Sequence, residues 1–268
     1  MMECPEFTVP LAIGKVHPYY GNLHNELNTS TNLLNGEGSS TAINIKDLPN
    51  QLKNACLDGK VDLVRNILGL DLSNKSGNEG SRDGLLVSSQ LQLVNIANTH
   101  TGMVPLHYAA SRGHYDIVEL LLDEVGTEVD PLNNEKETPL LKACFGGHLK
   151  VAQLLILRGA NVNHRDKEGW SSLHNAVSKG YFELVSWLIE EARVQVNITS
   201  NKGFTPLITS ATQGQLKVVK YLVEIGRADI NIKDANDQTA YAAAALNNHI
   251  LVCLYLEDLH KLEVGWQR

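Results

Sequence analysis

Residues 103–122 read "MVPLHYAASRGHYDIVELLL". The first half has an apolar face and stops at Gly113, and a second apolar face begins shortly afterwards. Apolar residues three and four positions apart predict an amphipathic helix, and a glycine after the last turn commonly ends one in the left-handed conformation. The stretch therefore predicts two short helices that meet at Gly113. It also holds His107, Tyr108 and His114, which raises the question of a catalytic or metal site.

The same pattern returns four times along the chain. The copies are "TPLLKACFGGHLKVAQLLI" from Thr138, "SSLHNAVSKGYFELVSWLI" from Ser171, "TPLITSATQGQLKVVKYLV" from Thr205 and "TAYAAAALNNHILVCLYLE" from Thr239. With the first copy at Val104, the five starting positions are almost evenly spaced, and only the copy from Thr138 is shorter, by a single position. A regular period of this size is typical of proteins whose neighbouring units bury one continuous core.

Each copy also carries matching helix-boundary residues. A hydroxyl residue begins four copies and can accept a hydrogen bond from a free amide of the first turn, whereas Val104 cannot. Proline follows at the first helical position in three copies, where a missing N–H has no cost. Glycine ends the first helix in four copies, and Asn248 replaces it in the last, asparagine being the next best residue for that conformation.

These residues resemble the ankyrin repeat. The segments "VPLHYAA", "GH", "LLL", "ANVNHRDKEG" and "TPL" follow its pattern at its period, from about Leu48 to Leu259. The resemblance implies an all-α solenoid of helix-turn-helix units joined by β-hairpin loops, in which the hairpins and first helices line a concave surface. The chain departs from the pattern where Leu141 and Ile208 replace the histidine and where Ser172 and Ala240 replace the proline.

The alignment divides the chain into four parts. Residues 1–45 are polar and aperiodic and are predicted to be a mostly disordered leader. Residues 46–70 form a degenerate N-terminal repeat that acts as a cap, and residues 71–93, rich in Ser, Asn and Gly, form an inserted flexible loop. Residues 94–268 hold five repeats with an apolar C-terminal end. That end folds back as an irregular cap, continues into a longer protein, or is covered by a partner.

Bulk properties exclude several classes of protein. The 268 residues carry a formal net charge of −7, which disfavours a nucleic-acid or anionic-membrane surface. No signal peptide or membrane-spanning stretch is visible, so we expect a cytoplasmic or nuclear protein. The four cysteines lie far apart without a CxxC pair, which argues against a zinc site or a disulfide framework.

The positions of the histidines favour a structural role over a catalytic or metal-binding one. His107 and His174 occupy one position of the repeat, and His114, His148 and His249 occupy another. A repeated position indicates a repeated structural role, and in ankyrin repeats the first of these histidines typically bonds backbone in a neighbouring loop. No HExxH motif, phosphate-binding loop or nucleophile elbow occurs. We therefore expect no catalysis, no metal and no cofactor.

The loop asparagines Asn163, Asn197 and Asn231 match a position that resembles known hydroxylation targets of the family. In most repeats this residue only bonds the loop, and that interpretation is favoured here.

Function is then predicted to lie on positions that packing leaves open. Aromatic and arginine residues are the usual anchors of protein interfaces. The candidate protein-binding residues are Tyr108, Arg112, Lys142, Phe145, Trp170, Asn175, Lys179, Phe204 and Gln213. This mixed aromatic and cationic set predicts a partner peptide with apolar and acidic residues. The alternative for Trp170 and Phe204 is packing between adjacent hairpins.

Two functions follow from this pattern. The first is a non-catalytic interaction module, a scaffold or adaptor that binds a protein along the concave face. The alternative is the recognition region of a larger enzyme, such as a ubiquitin ligase or a kinase-like protein. Binding of nucleic acid by basic residues at the hairpin tips is disfavoured by the acidic balance of the chain.

Overall fold

The computed structural model describes residues 47–70 and 90–265, with side chains as far as Lys261. The predicted leader, residues 1–45, and most of the predicted inserted loop, residues 71–93, lie outside the described residues. Residues 90–94 are helical, although the predicted loop extended to residue 93. The Gln90 side chain donates a 2.6 Å hydrogen bond to the Leu68 carbonyl, and Val94 is buried.

The described chain is a series of paired helices. They are α1 (Leu48–Asp58), α2 (Val61–Leu68), α3 (Pro105–Arg112), α4 (Tyr115–Glu119), α5 (Pro139–Gly146), α6 (Leu149–Leu157), α7 (Ser172–Lys179), α8 (Phe182–Glu190), α9 (Pro206–Thr212), α10 (Leu216–Glu224), α11 (Ala240–Leu246) and α12 (Ile250–Gly265). A π-helical turn, Leu120–Glu124, extends α4. Each first helix packs against its own second helix and against the first helices of neighbouring repeats. The all-α repeat solenoid predicted from the sequence is confirmed.

Small residues allow the first helices to approach one another. One position of the repeat is a fully buried alanine or serine in every copy. These residues are Ala109, Ala143, Ala176, Ser210 and Ala244. Leucines such as Leu106, Leu140 and Leu173 fill the space around them, and burial of each contributes about 1.5–3 kcal/mol. The buried side chains form one cluster from Leu52 to Leu256.

The predicted N-caps are confirmed in their geometry. The Thr138 hydroxyl accepts from the Leu141 amide at 3.3 Å, and the Thr205 hydroxyl accepts from the Ile208 amide at 3.1 Å. Val104 has no such oxygen, and its own amide instead donates to Nδ1 of His107 at 3.3 Å. The histidine side chain therefore fixes the start of the one repeat, among the five matched copies, that lacks a hydroxyl cap.

His107 and His174 join neighbouring repeats. Nε2 of His107 donates to the Glu137 carbonyl at 2.9 Å, and Nε2 of His174 donates to the Phe204 carbonyl at 2.8 Å. Both rings are completely buried, and burial lowers the pKa of each to about 4. At neutral pH both imidazoles are thus uncharged, with the proton on Nε2 because Nδ1 accepts a hydrogen bond.

The histidines after the helix break make a second link. Nε2 of His148 donates to the Ser111 carbonyl of the preceding repeat at 3.0 Å. Its ring covers Gly113, where φ is 76° and an added Cβ would lie 2.4 Å from Nδ1 of His148. Glycine is therefore needed at this position both for its left-handed backbone and for the close ring. In the last repeat Asn248 takes the same conformation, with φ of 58°, as predicted.

The loops between repeats are held by backbone hydrogen bonds. The Lys167 amide donates to the Glu135 carbonyl at 2.8 Å, and the Asn201 amide donates to the Glu168 carbonyl at 2.9 Å. Within the described loops the extended structure amounts to one isolated antiparallel bridge, between Arg165 and Ser171. The hairpins are therefore mostly tight turns.

The difference in repeat length is absorbed where the second helix ends. In the shorter repeat the Leu155 carbonyl accepts from the Ala160 amide at 3.0 Å. In two longer repeats the equivalent carbonyls, of Leu188 and Leu222, accept from the amides of Val194 and Ala228, at 3.2 and 2.9 Å. Each of these donors lies one position further along its repeat. The extra residue is thus accommodated in the closing turn, and the first helices keep their register.

The Asp166 carboxylate is held inside a loop. Oδ1 of Asp166 accepts from the amides of Glu168 and Trp170, at 2.9 and 2.8 Å. Asn133 holds the preceding loop with the same two bonds. Burial raises the pKa of Asp166 to about 6, because two amide donors offset only part of the lost hydration.

We predict that acid weakens the stack through the two buried imidazoles. Because their folded pKa of about 4 lies below the ordinary 6.5, the unfolded chain binds protons first. The stability that they contribute is present above 6.5 and is lost as pH falls towards 4, by roughly 3 kcal/mol for each residue. The urea midpoint of the wild type should fall more steeply over this window than that of the H107L/H174L variant.

The chain supplies the control for this substitution. Leu141 and Ile208 occupy the equivalent position in two repeats and are fully buried there, so the fold accepts an aliphatic side chain. Identical pH profiles for the wild type and the double variant would contradict the assignment.

We predict the opposite pH dependence for Asp166. Its folded pKa lies above the ordinary value, so its contribution is present at low pH and is lost as pH rises through about 6. Since the side chain is partly exposed, D166N should raise stability by only about 1 kcal/mol at pH 7.5, and by little at pH 4. Thermal unfolding at both pH values measures this.

The control is N133D, which changes the equivalent residue of the preceding loop. It places a carboxylate beside Glu137 and should therefore lower stability. A gain in stability from N133D would refute the argument.

Candidate protein-binding surface

The exposed ends of the first helices form one candidate surface. Arg112 and Lys179 end α3 and α7, Gln213 follows α9, and all three are exposed. Together with the half-buried Lys142 and Phe145 of α5, we call this the first-helix face. The ends of these helices are open because stacking uses their middles for the core.

Phe145 and Lys179 connect two repeats across this face. Nζ of Lys179 lies 4.7 Å from the centre of the Phe145 ring. A cation over an aromatic ring at this distance contributes about 0.5–1 kcal/mol when it is exposed. The pair gives the first-helix face an apolar floor with a positive charge above it.

Lys142 is the most enclosed cation of the face. Nζ of Lys142 lies 2.5 Å from Oε2 of Glu137, and the two side chains are 16% and 13% exposed. The same oxygen accepts from Nδ2 of Asn133 at 2.7 Å. Most of the Lys142 charge is therefore balanced within the stack, and Arg112 and Lys179 are the more exposed cations.

Tyr108 lies inside the stack, contrary to its expected place on the surface. Only 8% of the residue is exposed, and its hydroxyl lies 3.4 Å from Oγ1 of Thr101. Nζ of Lys53 stands 5.6 Å from the ring centre. The ring is covered because the degenerate repeat packs against α3. Tyr108 therefore offers a partner little contact area.

Asn175 is likewise buried. The residue is 1% exposed, and its Nδ2 donates to the Leu141 carbonyl of the preceding repeat at 3.3 Å. Its side chain therefore faces a neighbouring helix and not solvent. Asn175 therefore links α5 to α7.

Trp170 and Phe204 are half-buried at the bases of adjacent loops. The Trp170 ring meets His174 edge-on, with centroids 5.2 Å apart, and the Phe204 carbonyl accepts a hydrogen bond from His174. Phe204 also packs against the core. Both residues thus share the packing role that the sequence left open, and each keeps an exposed part.

Charge is unevenly divided between the two layers of helices. The first helices α3, α5, α7, α9 and α11 contain Arg112, Lys142 and Lys179 and no acidic residue. Beside four lysines, the second helices and the π-helical turn carry ten of the twenty acidic residues in residues 90–265. These are Asp116, Glu119, Asp123, Glu124, Glu183, Glu190, Glu224, Glu257, Asp258 and Glu263. A chain with a net charge of −7 therefore presents a locally positive first-helix face.

Two of the loop asparagines, Asn163 and Asn197, have a structural role. Oδ1 of Asn163 accepts from the Gln195 amide at 3.0 Å, and Oδ1 of Asn197 accepts from the Asp229 amide at 2.9 Å. Each bond joins one loop to the next. Within residues 47–70 and 90–265, no group of three or more His, Cys, Asp or Glu side chains is placed to hold a metal ion. The part of the chain that the structure describes also lacks a helix with the length and hydropathy of a membrane span.

The whole arrangement matches one family. A family model described as ankyrin repeats (3 copies) matches residues 25–166, 106–200, 156–234 and 173–263. The chain belongs to the ankyrin-repeat family. Ankyrin repeats bind proteins, so the first-helix face of this ankyrin-repeat chain is a candidate for protein recognition.

Relatives of the ankyrin-repeat chain are longer proteins of several kinds. The probable E3 ubiquitin-protein ligase XBOS32 of Oryza sativa subsp. japonica is 37% identical over 130 residues, 46% of this chain and 26% of the relative. The E3 ubiquitin-protein ligase XBAT33 of Arabidopsis thaliana is 32% identical over 133 residues, 47% and 26%. Alpha-latrotoxin-Lh1a of Latrodectus hasselti is 41% identical over 75 residues, 28% and 5%. The chain thus spans about a quarter of the ligases that it matches.

Sequence reasoning missed residues at both ends of the stack. Lys53 escapes the pattern because the degenerate repeat lacks the capping motif, although aligning its alanine and cysteine with Ala109 and Ala110 places Lys53 on a first helix. In the last repeat, Tyr241 and Leu246 of α11 are 43% and 54% exposed. The pattern treats them as part of an ordinary apolar repeat, and their exposure follows only from the lack of a described helix beyond them.

Proposed function

We propose that the chain is a non-catalytic adaptor or scaffold whose first-helix face binds an acidic segment of a partner protein. The observation that carries this proposal is the difference in charge between the two sets of helices. The first helices of the five matched repeats carry three cations and no acid, whereas the second helices with the π-helical turn carry ten acids and four lysines. Like charges across an interface cost several kcal/mol, so an acidic partner is disfavoured along the acidic layer and is favoured at the first-helix face.

The contacts on the face suggest how such a segment is held. Arg112 is exposed and offers a planar fork of N–H donors that suits a carboxylate. Lys179, above the Phe145 ring, supplies a second charge in a later repeat. The exposed parts of Phe145, Trp170 and Phe204 offer apolar contact between and beside these cations. A partner with alternating acidic and apolar residues fits this pattern, and the role belongs in the cytoplasm or the nucleus.

Reversal of these charges tests the proposal. The R112E/K179E variant should retain the partner at least tenfold less well, since two attractions become repulsions. The measurement is affinity purification from native cells followed by mass spectrometry, and then titration of the recovered partner. Binding by the wild type should also weaken as salt increases, because exposed charges are screened.

The matched control is K217E/K220E, which makes the same change on the second helix α10. Both lysines are exposed there, and neither belongs to the first-helix face. Retention equal to the wild type is expected for this control. The proposal fails if both double variants lose the partner alike, or if R112E/K179E keeps it while its helical circular dichroism is unchanged.

A second candidate function is the recognition region of a larger ubiquitin ligase. The observation that favours it is the resemblance to XBOS32 and XBAT33, whose names describe E3 ubiquitin-protein ligases. In that case the repeats select the protein to be modified, and a part of the polypeptide not represented in these repeats supplies the transfer of ubiquitin.

The expected result is a partner whose ubiquitination depends on the first-helix face. In cells that express the full gene product, the captured partner should carry ubiquitin with the wild type and much less with R112E/K179E. K217E/K220E serves again as the control. If R112E/K179E loses the partner while the partner's ubiquitination stays the same, the adaptor role stands and the ligase role is contradicted.

A further inference from the structure

One position of the repeat forms a row across the first helices. It is the residue directly before the glycine, or before the asparagine of the last repeat, that ends each first helix, and we call these residues the end row. From the first matched repeat to the last they are Arg112, Gly146, Lys179, Gln213 and Asn247. Because neighbouring first helices pack against one another, successive members of the end row lie one helix separation apart, about 8–10 Å.

Gly146 leaves a gap between the two cations of the end row. A Cβ added to Gly146 would lie 2.5 Å from Nε2 of His148 and 3.0 Å from the Ser111 carbonyl oxygen, and these two atoms are hydrogen-bonded to each other. Packing therefore keeps this position without a side chain. Phe145 directly precedes the gap, and its ring centre lies 4.7 Å from Nζ of Lys179. Between its two cations, the end row thus offers apolar contact in place of charge.

The charge of the end row is limited on both sides. The two members that follow Lys179 are uncharged amides. On the other side, the degenerate repeat has Asp58 at the corresponding position, and its carboxylate lies 3.0 Å from Nζ of Lys60. This ion pair adds no net positive charge beside Arg112. An acidic segment that crosses the end row therefore meets two attractive positions, at Arg112 and at Lys179.

The distance between these positions restricts the segment that can use both. Arg112 and Lys179 are two helix separations apart, about 16–20 Å. An extended segment advances about 3.3 Å per residue, so about six residues cover the distance. A helical segment would need about twelve. In an extended segment alternate side chains face the same way, so residues six positions apart point towards the end row together.

We infer that the end row selects its partner by the spacing of the partner's acids. The inference rests on the proposed binding of an acidic segment by the first-helix face. The segment is extended and carries two carboxylates about six positions apart, one for Arg112 and one for Lys179. Apolar residues at even positions between the acids lie over Phe145 and Gly146.

Labelled peptides measure this preference. The first probe is a fluorescein-labelled peptide with two glutamates about six positions apart, leucines at even positions between them, and Gly and Ser elsewhere. Two further probes have the same composition, with the glutamates about three or about nine positions apart. By fluorescence anisotropy at low salt, the full chain should bind the first probe about threefold more tightly than the other two, which is the effect of one exposed ion pair.

Moving one cation along the end row provides the decisive variant. K179Q/Q213K exchanges two exposed residues at equivalent positions, so the net charge is unchanged and the fold should persist. Circular dichroism and thermal unfolding check this. The cations are then three helix separations apart, and the preferred spacing should increase from about six to about nine positions.

The outcomes separate this inference from the proposed function. The same preferred spacing for the wild type and a folded K179Q/Q213K variant overturns the inference. So does equal binding of all three probes by the wild type; if R112E/K179E then loses all three, recognition of acids by the first-helix face still stands. If no probe binds more tightly than its counterpart with glutamines in place of glutamates, the proposed function fails together with the inference.

Discussion

Each repeat of this protein depends on hydrogen-bond partners that only its neighbour supplies. His107 and His174 reach forward to a loop carbonyl, and His148 reaches back to the preceding first helix. Buried imidazoles and backbone carbonyls without these partners would each carry a substantial desolvation cost. The direction and spacing of the stack are therefore set by specific bonds, and the apolar core fills the distance that the bonds define.

The same constraint determines where binding can take place. The middle of each first helix is fixed by small residues and cap geometry, which leaves little freedom to vary there without loss of packing. Residues at the helix ends and at the bases of the loops are not restricted by packing in this way. Arg112, Lys179 and Gln213 lie at these ends, and Phe145 lies beside them. Charge on the second helices is likewise free of packing demands, and the ten acids there, against none on the first helices of the five matched repeats, make the two layers electrostatically different.

The sequence contains almost all of the fold. Thr138, Thr205 and Gly113 mark helix boundaries by local chemistry, and the structure has those boundaries. Less of the candidate site could be predicted. The period places Tyr108 and Asn175 on a first helix, but their burial depends on a neighbouring repeat whose distance no alignment gives. The approach of Lys179 to Phe145 is a contact between repeats, so the pattern within one repeat does not reveal it.

The turn that follows each second helix differs in length between repeats, and this has a practical use. Shorter and longer repeats differ at the turn that bonds to Leu155 or Leu188, and the first helices that carry the cations are unchanged. Space is also open there, since an added Cβ at Gly126 or Gly159 would meet no other atom within 4 Å. This turn is therefore the place to insert an epitope or a fluorescent probe, so that the protein can be observed in cells without a change to the first-helix face.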